Sequence, residues 1–405
     1  MSTASTTASG ARPKPTLRPR DAADVAEIVA THPRALEPVG GGALRGVGHE
    51  MDADVLALDA LEGLVAYEPE ELVLTALAGT PLADIERELA ARAQRLAFEP
   101  PDFDALLGVA RPRTIGGVLA ANLAGSRRVS AGAARDHFLG CEAVTGRGER
   151  FKAGGRVVKN VTGYDVPKVL AGSWGTLAVL TSVTVRVAPL PETERTLVVP
   201  SATAAEAVAV MSAALGSPHD VSAAAFDAER GCLLRLEGFA ASVDARGAAL
   251  VRLLRAESDQ HGAGAAAPAR DAPARRADIA TVDADASRAL WTEIGGATAL
   301  ARWPVVWRIS VPPSDAPRLL AALAPERYLL DWGGGLIYAA FSAVDAVRVR
   351  GALLREGHAT LFKAPREARA ANAVFQPQPA PLAAAARRVK LAFDPDGRLS
   401  PGRLG

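Results

Sequence analysis

Cysteine is nearly absent from this 405-residue chain: Cys141 and Cys232 stand far apart and outside any C-x-x-C spacing. That excludes a disulfide framework and any metal cluster held by four cysteines of this chain alone, and it fits a reduced, cytosolic compartment. An excess of either charge is also missing. The 46 Lys and Arg against 45 Asp and Glu give a net charge of +1, which leaves no electrostatic footprint for nucleic acid or an anionic membrane. Long hydrophobic runs are lacking too. The longest uncharged stretch, Val169 to Val185, is short for a membrane span and broken by glycine, serine and threonine. Its β-branched second half reads as a buried strand, so no transmembrane helix is expected. The opening MSTASTTASGARPKP has no apolar centre of the signal-peptide kind, and residues 1–16 are expected to form a disordered leader.

What is present is enough chain for two or three domains with a substantial core. Residues 17–108 read as a small α/β unit, with a helix over Asp24–Thr31 and a strand over Leu36–Val39. A second helix over Pro81–Arg92 has Thr80 as its expected cap and Pro81 at its first position. Residues 109–191 form a second unit, richer in glycine and strands, and the prolines at 189 and 191 mark its end. From 192 to 375 the order β-α-β-β-α occurs twice, first over Thr196–Glu257 and again over Val305–Glu356, with a last strand at Ala359–Lys363. Two such units can pair into one antiparallel sheet backed by helices, a cap over the first half. Between them, residues 261–277 are almost wholly Ala, Pro, Gly, Arg and Asp and read as a mobile insertion. The tail, 376–405, carries a helix over Pro381–Ala392 and closes with FDPDGRLSPGRL.

Three glycine-punctuated clusters stand out. Gly40-Gly41-Gly42-Ala43-Leu44-Arg45-Gly46 follows a strand but precedes no helix, which disfavours Rossmann and P-loop readings, both of which need a helix N-terminus. Successive N–H groups in such a turn can form an anion nest; an ordinary tight connection is the alternative. The second cluster combines Pro101 with PRTIGGVLAANLA, residues 112–124. Thr114 offers a hydroxyl next to Ile115, Gly116 and Gly117 permit close approach of a ligand, and Asn122 can anchor a turn through its amide. A small-residue helix packed on a sheet would look the same. The third is GGRVVKNVTGYDVPKVLAGSWGTL, Gly154 to Leu177, with Lys159, Gly163, Tyr164, Gly172, Gly175 and Thr176. Tyr164 and Asp165 could equally be a structural hydrogen-bonded pair, and Lys159 a solvated lysine.

Together these clusters resemble the FAD-binding domain of the vanillyl-alcohol oxidase and p-cresol methylhydroxylase type. Within that family the resemblance is to the second flavin-binding subunit of bacterial glycolate oxidases. It covers nearly the whole chain and is most specific from Arg113 to Pro191. It implies an α+β fold, a two-subdomain FAD-binding domain (17–108 and 109–191) of the p-cresol methylhydroxylase type under the duplicated cap, with the tail returning to the FAD domain.

The resemblance assigns Gly40, Gly41, Gly42, Ala43, Leu44 and the Pro101 and Thr114–Asn122 cluster to the pyrophosphate and flavin, with contributions from Gly163, Tyr164, Gly172, Gly175 and Thr176. Ala43 stands where covalent members carry the flavin-linking histidine, so FAD is expected to be non-covalent. Where the family has Asn-Pro-Gly-Arg near the end, this chain has Ser400-Pro401-Gly402-Arg403.

The implied chemistry is oxidation of glycolate, a small 2-hydroxy acid, to glyoxylate. That needs a hydride acceptor, a base and a cationic clamp for the carboxylate. His137, beside Asp136, is the base candidate, with a satisfied structural histidine as the alternative. Lys159 would stabilise an anionic reduced flavin. Arg366 and Arg369 are the clamp candidates. His219, His261 and His358 lack metal-ligand spacing, and no metal site is expected. The implied partners are a larger flavin subunit and an iron–sulfur subunit, on the cytoplasmic side and peripheral to the inner membrane only through those partners. A stand-alone D-lactate-type dehydrogenase and a non-catalytic relay or assembly subunit are the alternatives.

Overall fold

The structure, a computed structural model, describes residues 15–156, 163–262, 278–353 and 357–404. The expected leader up to residue 14, Lys159, and residues 263–277 of the expected insertion lie outside that set. The leader's expected end is too late. Thr16–Leu17 is already a strand, paired in parallel with Val55 and Leu56, and the Pro15 carbonyl accepts from Val55 N at 2.9 Å.

Two sheets build the first half. A small parallel sheet has the order Thr16–Leu17, Asp54–Ala57, Leu36–Val39. An antiparallel five-stranded sheet has the order Leu64–Glu68, Val73–Leu77, Ala178–Arg186, Phe138–Thr145, Arg150–Gly154. The uncharged run anticipated as a strand is Ala178–Arg186, paired on both edges and buried at every position but the last. Helix Ala22–Thr31 joins the two sheets, burying Val25 and Val29 against Leu36, Leu56, Val144 and Val179. Asp21 starts it by accepting from the amides of Ala23 and Asp24 at 2.8 and 2.9 Å. Thr80 does not cap the next helix, Leu82–Ala90. Its hydroxyl donates instead to the Leu77 carbonyl at 2.7 Å and accepts from Gly63 N at 2.9 Å, which leaves Pro81 as an uncapped entry.

The tail closes the small sheet. Leu399 bridges Leu36 in parallel, with Leu36 N donating to the Arg398 carbonyl and Ser400 N to the Leu36 carbonyl, both at 2.8 Å. Asp394, at the end of helix Ala380–Phe393, is 1% exposed and accepts from the amides of Arg398 and Leu399, which fixes this crossing.

The cap is one eight-stranded antiparallel sheet. The first repeat contributes Thr193–Val199, Gly231–Gly238 and Val221–Asp227, in that spatial order. The second contributes Arg327–Asp331, Leu336–Phe341 and Val305–Ser310, so the repeats meet through Phe226↔Leu330 and Asp227↔Leu329. His358–Lys363 forms one edge. The other edge was not expected from sequence: a short strand, Ala280–Val282, leading into helix Ala284–Gly295. Trp291 of that helix donates through Nε1 to Thr196 Oγ1 at 2.7 Å.

One face of the cap sheet buries Phe226, Leu234, Leu236, Trp307 and Ile309 under its helices. Each fully buried side chain of this size contributes about 2–3 kcal/mol. The alternating residues face the first half. Arg235, between Leu234 and Leu236, is 4% exposed and bonds Glu99 of the first half at 2.6 Å and Glu194 of the cap at 2.8 Å. Glu237 accepts from Arg95 at 2.6 Å and Arg127 at 3.3 Å. Burial pushes the Glu237 carboxyl up, but Arg235, Arg127 and Arg95 override it and hold it down at about 2. Arg235→Met would leave Glu194 with its charge buried and unpaired. The variant is expected to lose about 3–5 kcal/mol of stability in urea unfolding.

Asp331 lies on the same face, fully buried. It accepts from Ser126 Oγ at 2.8 Å and from Trp332 N at 2.7 Å. Burial raises its carboxyl to about 7. In the unfolded chain the group ionises at pH ~4, so the folded state binds the extra proton and stability falls as pH rises from there to about 7. Asp331→Asn should therefore melt several degrees above wild type at pH 8 in a thermal scan, with the gap closing by pH 4.

Candidate functional site

An apolar cleft runs along the junction of the two sheets and holds about 1000 Å³ of space unfilled by protein, part of it open to solvent. Its walls are the loop Gly40–Leu44, the segment Pro112–Thr114 with helix Ile115–Ala121, and Trp174 with Gly175. Pro101, Phe103, Ser400 and Arg403 complete it.

The glycines serve two different purposes. A Cβ on Gly41 would sit 1.7 Å from the Pro112 carbonyl oxygen, and one on Gly40 would sit 2.1 Å from Thr114 Oγ1. These two are required by packing of the loop on the neighbouring segment. Gly42 adopts φ +84° and Gly175 φ +71°, and a Cβ on either would meet nothing closer than 3.4 Å. A Cβ on Gly117 would meet only Thr114 Oγ1, at 3.2 Å. Those positions leave backbone open to the cleft. Among the described residues, the amides of Gly40 to Leu44 donate to no protein acceptor, which leaves a row of unpartnered N–H groups along the cleft wall. Such a row is a nest for an anion.

A cation stands beside it. Arg403 is 6% exposed, donates to the Leu44 carbonyl at 2.9 Å and lies over the Trp174 ring at 5.4 Å. Burial lowers its pKa to about 10; Glu37 pulls the other way, while Arg45 and Arg369 add to the lowering. Its nearest carboxylate is Glu37 at 3.8 Å. An apolar slot, a free amide row and a desolvated guanidinium suit a long ligand with a flat end and a phosphorylated middle.

The family model described as an FAD binding domain matches residues 13–154. Glycolate oxidase subunit GlcE of Escherichia coli is 31% identical over 360 residues, covering 88% of this chain and 89% of that protein. The chain belongs to the GlcE family of FAD-linked glycolate oxidase subunits. Its first half is thus an FAD-binding domain of the p-cresol methylhydroxylase type, in an FAD-dependent oxidoreductase family. Glycolate oxidase subunit GlcD of Bacillus subtilis is 32% identical over 143 residues, 35% of this chain and 29% of that one. Among solved structures, an alkyldihydroxyacetonephosphate synthase superposes with a TM-score of 0.63 at 14% identity, over 95% of this chain and 76% of that one. That likeness carries the fold alone.

Of the residues singled out in the sequence, Gly40, Gly41, Gly42, Ala43, Leu44, Pro101, Thr114, Gly116, Gly117 and Gly175 line this one cleft. The rest lie behind it or away from it. Ile115 is fully buried in the core. Asn122 ends the cleft-lining helix in a left-handed conformation, and its Oδ1 accepts from Arg135 N at 2.9 Å. Gly172 N donates to the Leu119 carbonyl, and Thr176 Oγ1 to the Ser173 carbonyl, so both shape the turn that presents Gly175. Gly163 is exposed, and Tyr164 is 92% exposed, so neither reaches the cleft.

His137 is buried, with Nε2 2.7 Å from the Ala131 carbonyl and its ring against Phe98; burial lowers its pKa. It lines no described cavity. Arg366 pairs with Glu50 at 2.6 Å, and Arg369 donates to the carbonyls of Gly46 and Gly48. They border a separate hollow of about 750 Å³, likewise partly open to solvent, with Arg45, His49 and Arg403. Sequence reasoning missed Arg403, Trp174 and Phe103 as cleft residues. The terminal S-P-G-R offered a signal for Arg403, and Trp174 sat inside the third glycine-punctuated cluster, but Phe103 had neither.

Gly41→Ala is expected to force the loop off Pro112 and to purify with little bound flavin, read from absorbance at 450 nm. Gly46→Ala, whose Cβ would meet nothing within 4 Å, should retain it.

Proposed function

We propose that this chain is the FAD-carrying GlcE-type subunit of a glycolate-oxidising complex, with FAD held non-covalently in the glycine-lined cleft. The observation that carries the reading is the convergence of the free Gly40–Leu44 amides and the buried Arg403 on one apolar slot. These groups would hold the pyrophosphate, while Gly117 and Gly175 leave room for the flat ring. Ala43 offers no nucleophile for a covalent link. When bound, the flavin would supply the hydride acceptor for a 2-hydroxy acid, with glycolate leaving as glyoxylate.

This chain's part is to exclude water from the slot through Phe103, Leu123 and Trp174 and to position the ring. A GlcD-type larger flavin subunit and an iron–sulfur subunit would take the electrons onward. Among the described residues, no group of three or more His, Cys, Asp or Glu could hold a metal, and no helix is long and apolar enough to cross a membrane. The proposed setting is a cytoplasmic complex touching the inner membrane only through its partners.

The purified chain is expected to show flavin bands that bleach on anaerobic addition of glycolate. Bands that persist with glycolate but bleach once the partner subunits are added would move oxidation to a partner and make this chain a relay. Bleaching by D-lactate alone would support the stand-alone dehydrogenase, and a colourless chain would refute the FAD assignment.

A further inference from the structure

Where the cap faces the FAD domain, next to the paired arginines of the seam, two guanidiniums share one indole without an ion-paired carboxylate. Arg308, on strand Val305–Ser310, and Arg128, at the start of the short helix Arg128–Ala131, both lie over the Trp332 indole, 5.0 and 4.6 Å from the ring centroid. Neither has an ion-pair partner among the described residues, whereas Arg95, Arg127, Arg235 and Arg327 on the same seam all do. Burial and the nearby Arg308 both lower the Arg128 pKa; Asp136 draws it the other way, but that carboxylate is engaged by the Ala133 amide. Asp331 is no ready counter-charge either, being bound to Ser126 and the Trp332 amide and raised to about 7 by burial.

Two neighbours complete the cluster. Tyr338 stands opposite Arg308 in register, and His358, on the next strand, stands opposite Ser310. Burial first, then Arg308 and Arg128, lower the His358 pKa, so it adds a neutral hydrogen-bonding ring and no third charge. The cluster is accessible: Arg128 and Arg308 are half-buried and His358 is exposed. It also adjoins the cleft. Arg128 follows closely on cleft-lining Leu123, and the Tyr338 ring is 6.4 Å from that of Phe103, another cleft residue. The Trp332 platform is fixed by its own bond from Nε1 to the Gly125 carbonyl at 3.0 Å.

Two forked, half-buried donors against one fixed aromatic plate match a planar, bidentate anion. We propose that Arg128 and Arg308 form the carboxylate clamp for a small 2-hydroxy or 2-oxo acid, one arm from each domain. The clamp rests on the FAD reading for the identity of the acid, but not for the existence of the anion site. It takes the role first expected of Arg366 and Arg369, whose guanidiniums are occupied by Glu50 and by backbone carbonyls.

The test is calorimetric titration of the FAD-loaded chain with oxalate, a non-oxidisable small carboxylate, and with inorganic sulfate for comparison. Arg128→Met and Arg308→Met are each expected to weaken oxalate at least tenfold with bound FAD and melting temperature unchanged, and Arg308→Lys to recover part of the loss. Sulfate should bind more weakly than oxalate. Unchanged oxalate affinity in both variants would overturn the clamp, as would sulfate binding equal to oxalate, or no oxalate binding by the wild type. A loss of affinity that comes with loss of FAD or a lower melting temperature, unrelieved by lysine, would also overturn it and assign the arginines a structural role. If the chain carries no FAD, the flavin reading fails by itself; heat of oxalate binding to that chain still decides the clamp.

Discussion

This molecule's working surface depends on the cap sheet being held against the FAD domain by ion pairs that are mostly buried. Arg235 bridges Glu99 of the FAD domain and Glu194 of the cap, while Glu237 draws Arg95 and Arg127 across the same seam. Burying ions this way adds little net stability over an apolar seam, but it is intolerant of displacement, because any shift leaves a charge unpaired in a dry place. The cap therefore has a defined register over the FAD domain. The helix Ile115–Ala121, the Trp332 platform and the strand bearing Arg308 inherit that register.

Within the FAD domain the corresponding constraint is steric. Gly40 and Gly41 are glycine because carbonyl and hydroxyl oxygens of the Pro112–Thr114 segment occupy the space a side chain would need. Their effect on a ligand is indirect: the loop packs closely on the Pro112–Thr114 segment, and its amides are left without protein acceptors along the slot. Gly42, Gly117 and Gly175 are the positions where the absence of a side chain serves the slot itself. One glycine-rich sequence thus contains two physical requirements, and only coordinates separate them.

The elements with a strong local signal were legible beforehand. The uncharged β-branched run became the central strand Ala178–Arg186, and the repeated β-α-β-β-α order became the eight-stranded cap. Thr80 misled because a hydroxyl before a helix has other acceptors within reach, here the Leu77 carbonyl. The strand Ala280–Val282 is too short and too bland to announce itself. Arginines were the least legible of all. Arg366 and Arg128 look alike in the chain, yet one is neutralised by Glu50, more than 300 positions away in sequence, and the other lies over an indole with no ion-pair partner among the described residues. Partners so distant leave no local pattern, so the cationic part of a site has to be read from the fold.

The crossing of Leu399 over Leu36 has a consequence for how such a protein comes into being. One of the first strands of the chain is completed by some of its last residues, and Arg403, delivered by the same crossing, forms part of the cleft wall. Until that crossing forms, the cleft lacks that wall and its buried cation, even with the glycine loop in place. The completed cleft therefore waits on a contact between segments 359 positions apart, Arg403 with Leu44, and everything between them has to fold without blocking that meeting.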